Sequence, residues 1–180
     1  MLFFRHARRQ ALPPERLAEG VGIPLDQLAR PRERIDWSAY VRLLRNAARV
    51  WSLREIELVG RDFRHASVVS PLSRLFYSPR DLFREYNRPA GTSQKLVSCV
   101  RPALVELDER QIIVDLELDE GYEYCSEYFH VTRGHLASLP RPIGLPFAEV
   151  AMTLTQRGAR YVIGTAAGGG SLAGLRRAFS

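Results

Sequence analysis

The stretch that decides the fold is Tyr122–Pro140, which reads YEYCSEYFHVTRGHLASLP. It holds one cysteine, two histidines, two glutamates and three tyrosines within nineteen positions. On a helical wheel of about 100° per residue these residues divide into an apolar and a polar side. The apolar side comprises Val131, Tyr124, His135, Tyr128, Leu139, Thr132, Cys125, Leu136 and Phe129. We therefore predict an amphipathic helix.

The spacing of the potential metal ligands argues against a metal site. Cys125, His130 and His135 are five residues apart, which separates neighbours by about 140° around a helix. Ligands that one helix donates to one ion need spacings of three or four. Glu127 and His130 have that spacing, but no second such pair and no H-E-x-x-H motif accompany them. We predict that Glu127 and His130 lie on a solvated face.

His135 lies near the middle of the apolar side and leaves two alternatives open. A histidine there is either a core residue whose nitrogens find hydrogen-bond partners or the polar group of a ligand pocket. An enzyme with Cys125 as nucleophile and His130 or His135 as base is not predicted, because His130, five residues after Cys125, would point away from it. The chain also contains no G-x-S-x-G, P-loop or G-x-G-x-x-G motif.

Two predicted β-hairpins flank this helix. Their strands are rich in β-branched residues or alternate apolar and acidic side chains, and turn-forming residues separate them. The first hairpin has predicted strand segments at 96–100, 103–107 and 112–118, with a turn at 108–110. The second has predicted strands at 150–154 and 161–163, with a turn at 156–159.

The first half of the chain carries helix-start signals. Asp36 is a predicted N-cap with Ile35 and Tyr40 as a hydrophobic staple, and Ser52 with Glu55 forms a capping box. Ser70-Pro71 and Ser78-Pro79-Arg80-Asp81 place proline at a first helical position. Helices are therefore predicted at 53–65, 71–77 and 79–87, besides one that follows Asp36. The fold class is α+β: a helical N-terminal part packed on an antiparallel sheet with a crossing amphipathic helix.

Length and composition indicate one globular domain. The chain has 180 residues, of which 46% are hydrophobic and 26% charged. We predict a single domain over 1–166, then a Gly-rich linker and the start of a C-terminal signalling helix over 167–180. Gly168-Gly169-Gly170 has the composition of a flexible linker.

The basic charge is weak support for a nucleic-acid partner. Of the 26 basic residues only Lys95 is a lysine, and Arg42, Arg45, Arg49 and Arg54 are better explained as a solvated face. Two cysteines without a CxxC motif fit a reducing compartment. No signal peptide or membrane-length apolar run is present in the sequence. We expect a cytoplasmic protein without a membrane or nucleic-acid partner.

Several segments resemble a known group of sensors. They are GIPLDQL at 22–28, IDWSAY at 35–40, YSPRDL at 77–82 and GHLASLPRPIGLP at 134–146. They are similar to the N-terminal input domains of bacterial histidine kinases and diguanylate cyclases, a group that resembles vinyl-reductase-type and haem nitric-oxide-binding domains. The first 60 residues also resemble the start of AraC-type effector domains.

The resemblance implies a sensory domain with an apolar pocket between its helices and its sheet. Occupancy by a small apolar molecule would pass to an output domain through the C-terminal helix, and we expect a homodimer. The expected ligand contacts are Tyr124, Tyr128, Phe129 and His135 from the helix and Cys99, Val114 and Met152 from the sheet.

Two alternatives remain. One is a dimerisation module with a filled core. The other is a haem-based gas sensor, because haem members of the group carry a Tyr-x-Ser-x-Arg motif and a proximal histidine. The nearest match here is Tyr77-Ser78-Pro79-Arg80, one residue short of the motif, and His65 is the candidate axial ligand. The cofactor therefore stays open.

Overall fold

The structure is a computed structural model that describes residues 2–30, 34–62, 78–87, 96–107 and 111–164. The predicted helix at 71–77, the turn at 108–110 and the C-terminal segment 167–180 lie outside these residues. His65 and Tyr77 lie outside them as well.

The described helices before the sheet form a layer around α4. They are α1 (Leu2–Arg9), α2 (Glu15–Ala18), α3 (Leu25–Ala29), α4 (Trp37–Ala48), α5 (Leu53–Arg61) and α6 (Pro79–Asn87). Buried Asn46 of α4 donates to the carbonyls of Leu17 and Glu19 at 3.0 and 2.7 Å, which joins α4 to α2. Arg42, Arg45 and Arg49 are exposed, as predicted for a solvated face.

Of the four predicted helix starts, the one at Ser70 lies outside the described residues, and two of the other three form their caps. Ser52 and Glu55 bond reciprocally at the start of α5, and Ser78 and Asp81 do so at the start of α6. Asp36 has the extended backbone of an N-cap residue, but its side chain makes no capping hydrogen bond. Helix α5 also ends at Arg61, four residues before the predicted end.

Both predicted hairpins are confirmed. The strands are β1 (Val100–Leu107), β2 (Gln111–Leu118), β3 (Glu149–Leu154) and β4 (Gly158–Gly164). They form one antiparallel sheet in the order β1-β2-β4-β3. Residues 96–99, predicted as strand, precede β1, so Cys99 lies beside the sheet and not within it.

One face of the sheet is turned towards the helices. Leu104, Val114, Tyr161 and Met152 are paired in register across the four strands, so their side chains share a face. Along β2 the even-numbered residues are buried, which extends this face along the strand. On the opposite face Arg160 donates to both oxygens of Asp115 at 2.8 and 2.7 Å.

The predicted crossing helix is α7 (Ser126–Ser138). It lies on the inner face of the sheet, where the Tyr161 hydroxyl of β4 donates to the carbonyl of Phe129 at 2.9 Å. The helix begins later than expected, because Cys125 has the extended backbone of a residue before the first turn. The wheel positions of Tyr124 and Cys125 were therefore wrong, while the α+β class with its crossing helix is confirmed.

None of the helices in the described part of the chain combines the length and the apolar character needed to cross a bilayer.

Candidate functional site

The polar side of α7 packs against α5 and does not face solvent, which corrects the helical-wheel prediction. Gly60 and Gly134 lie where the two helices cross. A Cβ atom on Gly60 would overlap the carbonyl of Val131, and one on Gly134 would overlap that of Glu57. The helices can cross this closely only because both positions lack a side chain. Consequently α7 is enclosed between α5 and the sheet.

Glu57 of α5 connects this crossing to the sheet. Its Oε1 lies 2.9 Å from Nδ1 of His130 and accepts from Arg133 Nη1 at 2.8 Å. Arg133 also donates through Nε to the carbonyl of Val150 at 2.9 Å. The side chains of Glu57 and His130 are only 15% and 14% exposed, so the prediction that His130 lies on a solvated face was wrong. Partial burial of such a network strengthens it relative to an exposed ion pair.

His135 is buried on the other side of α7 and has a defined partner. Its Nδ1 lies 3.3 Å from the hydroxyl of Tyr86 on α6, and the two rings meet edge to face with centroids 5.0 Å apart. This agrees with the alternative in which His135 is a paired core residue. It also places a polar pair between α6 and α7.

An aromatic cluster continues from this pair towards α4. The ring centroid of Tyr128 lies 6.4 Å from that of Tyr40 and 5.2 Å from that of Trp37, both in edge-to-face geometry. The indole nitrogen of Trp37 donates to the carbonyl of Glu123 at 2.8 Å, which fixes the chain ahead of α7. These contacts join α4 to α7 through apolar rings.

The tyrosine hydroxyls of this region lie in buried surroundings that disfavour their ionisation. Burial raises the pKa of Tyr40, Tyr86, Tyr128 and Tyr161 well above its ordinary value. The phenols of Tyr128 and Tyr40 raise the pKa of Tyr86 further. These four phenols are therefore neutral at ordinary pH.

The seven predicted ligand contacts are placed around this core to different depths. Phe129 and Val114 are fully buried, and Tyr128, His135 and Cys99 are buried as well. Tyr124 and Met152 are partly buried and pack against the core, with the Tyr124 ring 5.6 Å from that of Phe129. Their role as ligand contacts stays a prediction.

The sequence reasoning missed Tyr40 and Tyr86 as site residues. Tyr86 lies four residues after Leu82 and three after Phe83, and all three are buried. This helical spacing places them on the apolar side of α6. A tyrosine on such a side carries a hydroxyl into the core, and that signal was available in the sequence.

The two thiols have the properties of core groups. Both Cys99 and Cys125 are buried and unpaired. Burial, assisted by Glu127, raises the pKa of Cys125 to about 12, and burial raises the pKa of Cys99. A thiol with so high a pKa is protonated at neutral pH and is a poor nucleophile. Within the described residues no group of three or more His, Cys, Asp or Glu side chains could hold a metal ion.

The described residues also do not fit the haem site suggested by the sequence. At the start of α6 the Ser78 hydroxyl donates to Asp81 at 2.6 Å and accepts from the Asp81 amide at 3.2 Å. Ser78 is thus part of a helix cap, and the Arg80 side chain is exposed. Neither is arranged to hold a propionate.

The described histidines have other neighbours. His6 packs edge-on against Trp51 with ring centroids 4.9 Å apart, while His130 and His135 contact Glu57 and Tyr86. None of the three, as placed, is an evident axial ligand.

Comparison with known proteins relates this architecture to a class of fold. No protein-family model matches the chain, and no curated protein matches it. The chain is similar to the Fe(II) unliganded H-NOX protein from K. algicida, with a TM-score of 0.61 and 12% identity over 91% of this chain and 92% of that one. It is also similar to a Cs H-NOX mutant carrying 4-cyano-L-phenylalanine, with a TM-score of 0.54 and 12% identity over 90% of each chain.

At this level of identity the likeness defines the fold alone. The chain has an H-NOX-like fold, and the expected resemblance to haem nitric-oxide-binding domains is confirmed to that extent. The connection to histidine kinases or cyclases stays a prediction.

Proposed function

We propose that this chain is a sensory or regulatory domain that binds a small, neutral, mainly apolar molecule in its interior. The hydrogen bond between Tyr86 and His135 carries the proposal, because it places a polar pair amid aromatic and aliphatic side chains. Binding sites for small molecules commonly combine apolar walls with a few well-placed polar groups. Tyr40, whose ring meets that of Tyr128 edge to face, adds a further phenol to these surroundings.

The proposed ligand is neutral because the interior carries no fixed charge where the structure describes it. Its buried polar side chains there are Asn46, Asn87, Thr132, His135 and Ser138, and none is an acid, a lysine or an arginine. A charged ligand would lose its hydration in such surroundings without gaining a counter-ion. A neutral molecule with one hydrogen-bonding group suits them better.

The fold supports a binding role. One H-NOX protein of similar fold is described in an Fe(II) unliganded form, which identifies that protein as one that binds a ligand. The iron is a property of that protein, and the site proposed here is built from Tyr86 and His135 without a metal. We propose that the domain binds its ligand without catalysing a reaction on it.

A route for signal transmission leads from α7 into β4. The Tyr161 hydroxyl of β4 is bonded to the carbonyl of Phe129, and Phe129 is a predicted ligand contact. A ligand that displaces Phe129 would shift the hydrogen bond that Tyr161 donates to its carbonyl. Tyr161 lies three residues before Gly164, the last residue of β4. We propose that this shift reaches an output domain, and that the protein acts as a cytoplasmic homodimer.

Native mass spectrometry of the purified chain, together with its absorption spectrum, tests the proposal. We expect a small molecule that leaves on denaturation and no absorption band of haem. Tyr86→Phe should lower its occupancy, while Tyr122→Phe, the same change at an exposed tyrosine, should not. A haem band would replace this proposal with the haem-based sensor. An empty protein that also fails to bind added indole would favour the dimerisation module.

A further inference from the structure

The segment that follows α7 is rich in proline and reads PRPIGLPF at 140–147. It begins with a short 3-10 helix at Arg141–Ile143, and Gly144 then takes a left-handed backbone with φ of 87°. The Ala148 amide donates to the carbonyl of Ala137 at 2.8 Å, so the chain returns to the end of α7. This turn holds Phe147 beside the crossing of α5 and α7.

Two arginines converge on the Phe147 ring. The guanidinium carbon of Arg61 lies 5.6 Å from the ring centroid, and that of Arg141 lies 5.2 Å from it. These distances place both cations in cation–π contact with one ring, and hence within about 11 Å of each other. Phe147 is nevertheless 47% exposed, so the arrangement leaves much of the ring accessible.

Neither arginine has a carboxylate partner among the residues that the structure describes. Arg141 donates to the carbonyl of Leu145 at 3.2 Å. Glu57 lies four residues before Arg61 on α5 and would be its natural partner. Its carboxylate is bonded to His130 and Arg133 instead.

A groove of about 300 Å³ opens beside these cations. It is lined by charged walls, an aromatic side chain and a floor of small residues: Glu57, Arg61, Arg133, Gly134, Ala137, Phe147, Ala148, Glu149 and Val150. The two arginines and two glutamates of this lining balance in charge. Arg141, which contacts Phe147 from outside the lining, adds one positive charge beside the groove. Its volume is at the lower end of small-molecule sites.

We infer that this groove binds a small organic anion, a carboxylate or a phosphate attached to a planar apolar group. The anionic group is held by Arg61 and Arg141, because guanidinium groups bind such oxygens in a planar, paired geometry. The apolar part lies against Phe147 and the small residues of the groove. The site is separate from the proposed interior site and does not depend on it.

Titration of the full chain followed by amide NMR tests the inference with benzoate, phenyl phosphate and inorganic phosphate. The amide signals of Arg61, Gly134 and Phe147 are expected to shift and to saturate. The order of the dissociation constants of the three probes identifies the preferred anionic group. Benzyl alcohol should not bind, and added salt should weaken binding of the anions. Arg61→Gln with Arg141→Gln should weaken binding about tenfold.

Arg42→Gln is the matched control, since Arg42 is an exposed arginine on α4. It should bind the anions as the unchanged chain does, and Phe147→Leu should weaken only the two ring-bearing anions. The inference is overturned if none of the anions saturates, or if the double variant binds as tightly as the Arg42→Gln control.

Discussion

Gly60 of α5 and Gly134 of α7 face each other at the helix crossing, and each has a carbonyl of the other helix where a Cβ atom would lie. A glycine-to-alanine substitution therefore tests the crossing, through whether it raises or lowers the free energy of unfolding. In an unobstructed helix Gly134→Ala would stabilise the protein by up to about 1 kcal/mol. Here the added methyl group meets backbone that cannot rotate away, so we expect a loss of about 1–3 kcal/mol.

Urea unfolding of Gly134→Ala and Gly60→Ala measures this effect. A surface change such as Arg42→Ala should stay within about 0.5 kcal/mol of the unchanged chain. An increase in stability for either glycine variant would show that the helices are farther apart.

Glu57→Gln tests the network that joins α5, α7 and β3. The change keeps the shape of the side chain but removes the charge that His130 and Arg133 contact. We expect a loss of about 1–3 kcal/mol, because polar groups in a partly buried site lose a charged partner. Glu120→Gln, at an exposed glutamate, is the control, and equal effects of the two changes would contradict the network.

Tyr86→Phe tests the interior pair. Loss of the hydroxyl leaves the buried Nδ1 of His135 without this partner, which should cost about 1–2 kcal/mol in the free energy of unfolding. The matched change Tyr122→Phe removes a hydroxyl at a side chain that is 47% exposed and should have little effect. Indistinguishable denaturation curves would mean that the Tyr86–His135 bond is absent in solution.

The buried tyrosines predict instability at alkaline pH. Burial holds the pKa of Tyr40, Tyr86, Tyr128 and Tyr161 above the value of about 10 that tyrosine has in unfolded chains. Above that pH the unfolded chain loses protons that the folded chain keeps, so the stability present below about pH 10 is lost as the pH rises.

Absorbance of phenolate against pH checks this prediction. The four buried tyrosines should ionise only together with loss of circular dichroism. Reversible ionisation of all seven tyrosines in the folded protein would contradict the burial.

The thiols should be unreactive while the protein is folded. With a pKa raised to about 12, Cys125 has little thiolate at pH 8, and Cys99 is buried as well. Alkylation by iodoacetamide, followed by mass spectrometry, should modify neither thiol in buffer within the time that modifies both in urea. Rapid alkylation of Cys125 in the folded protein would contradict this prediction and would make Cys125 a candidate nucleophile.

The sequence predicted those parts of the fold that local patterns determine. The capping box of Ser52 and Glu55 and both hairpins depend on neighbouring residues, and the structure contains them. Asp36 shows the limit of such patterns, since its position is that of an N-cap although its side chain makes no capping bond.

The contacts between distant elements were not predictable in the same way. A wheel built on hydrophobicity assigned Gly134, Ala137 and Ser138 to solvent, whereas all three are buried. Small residues permit close helix packing without being strongly apolar, so the wheel misjudged that side. The Tyr86–His135 pair joins residues 49 positions apart, and no local pattern in the sequence specifies such a partner.

The central claim is that the interior between the helices and the sheet accommodates a small apolar molecule. A crystal structure determined under xenon pressure tests it most directly, because xenon occupies apolar cavities and is located by its scattering. We predict a xenon atom in contact with Tyr128, Phe129 or Tyr86. An interior without xenon, filled by protein side chains, would contradict the claim.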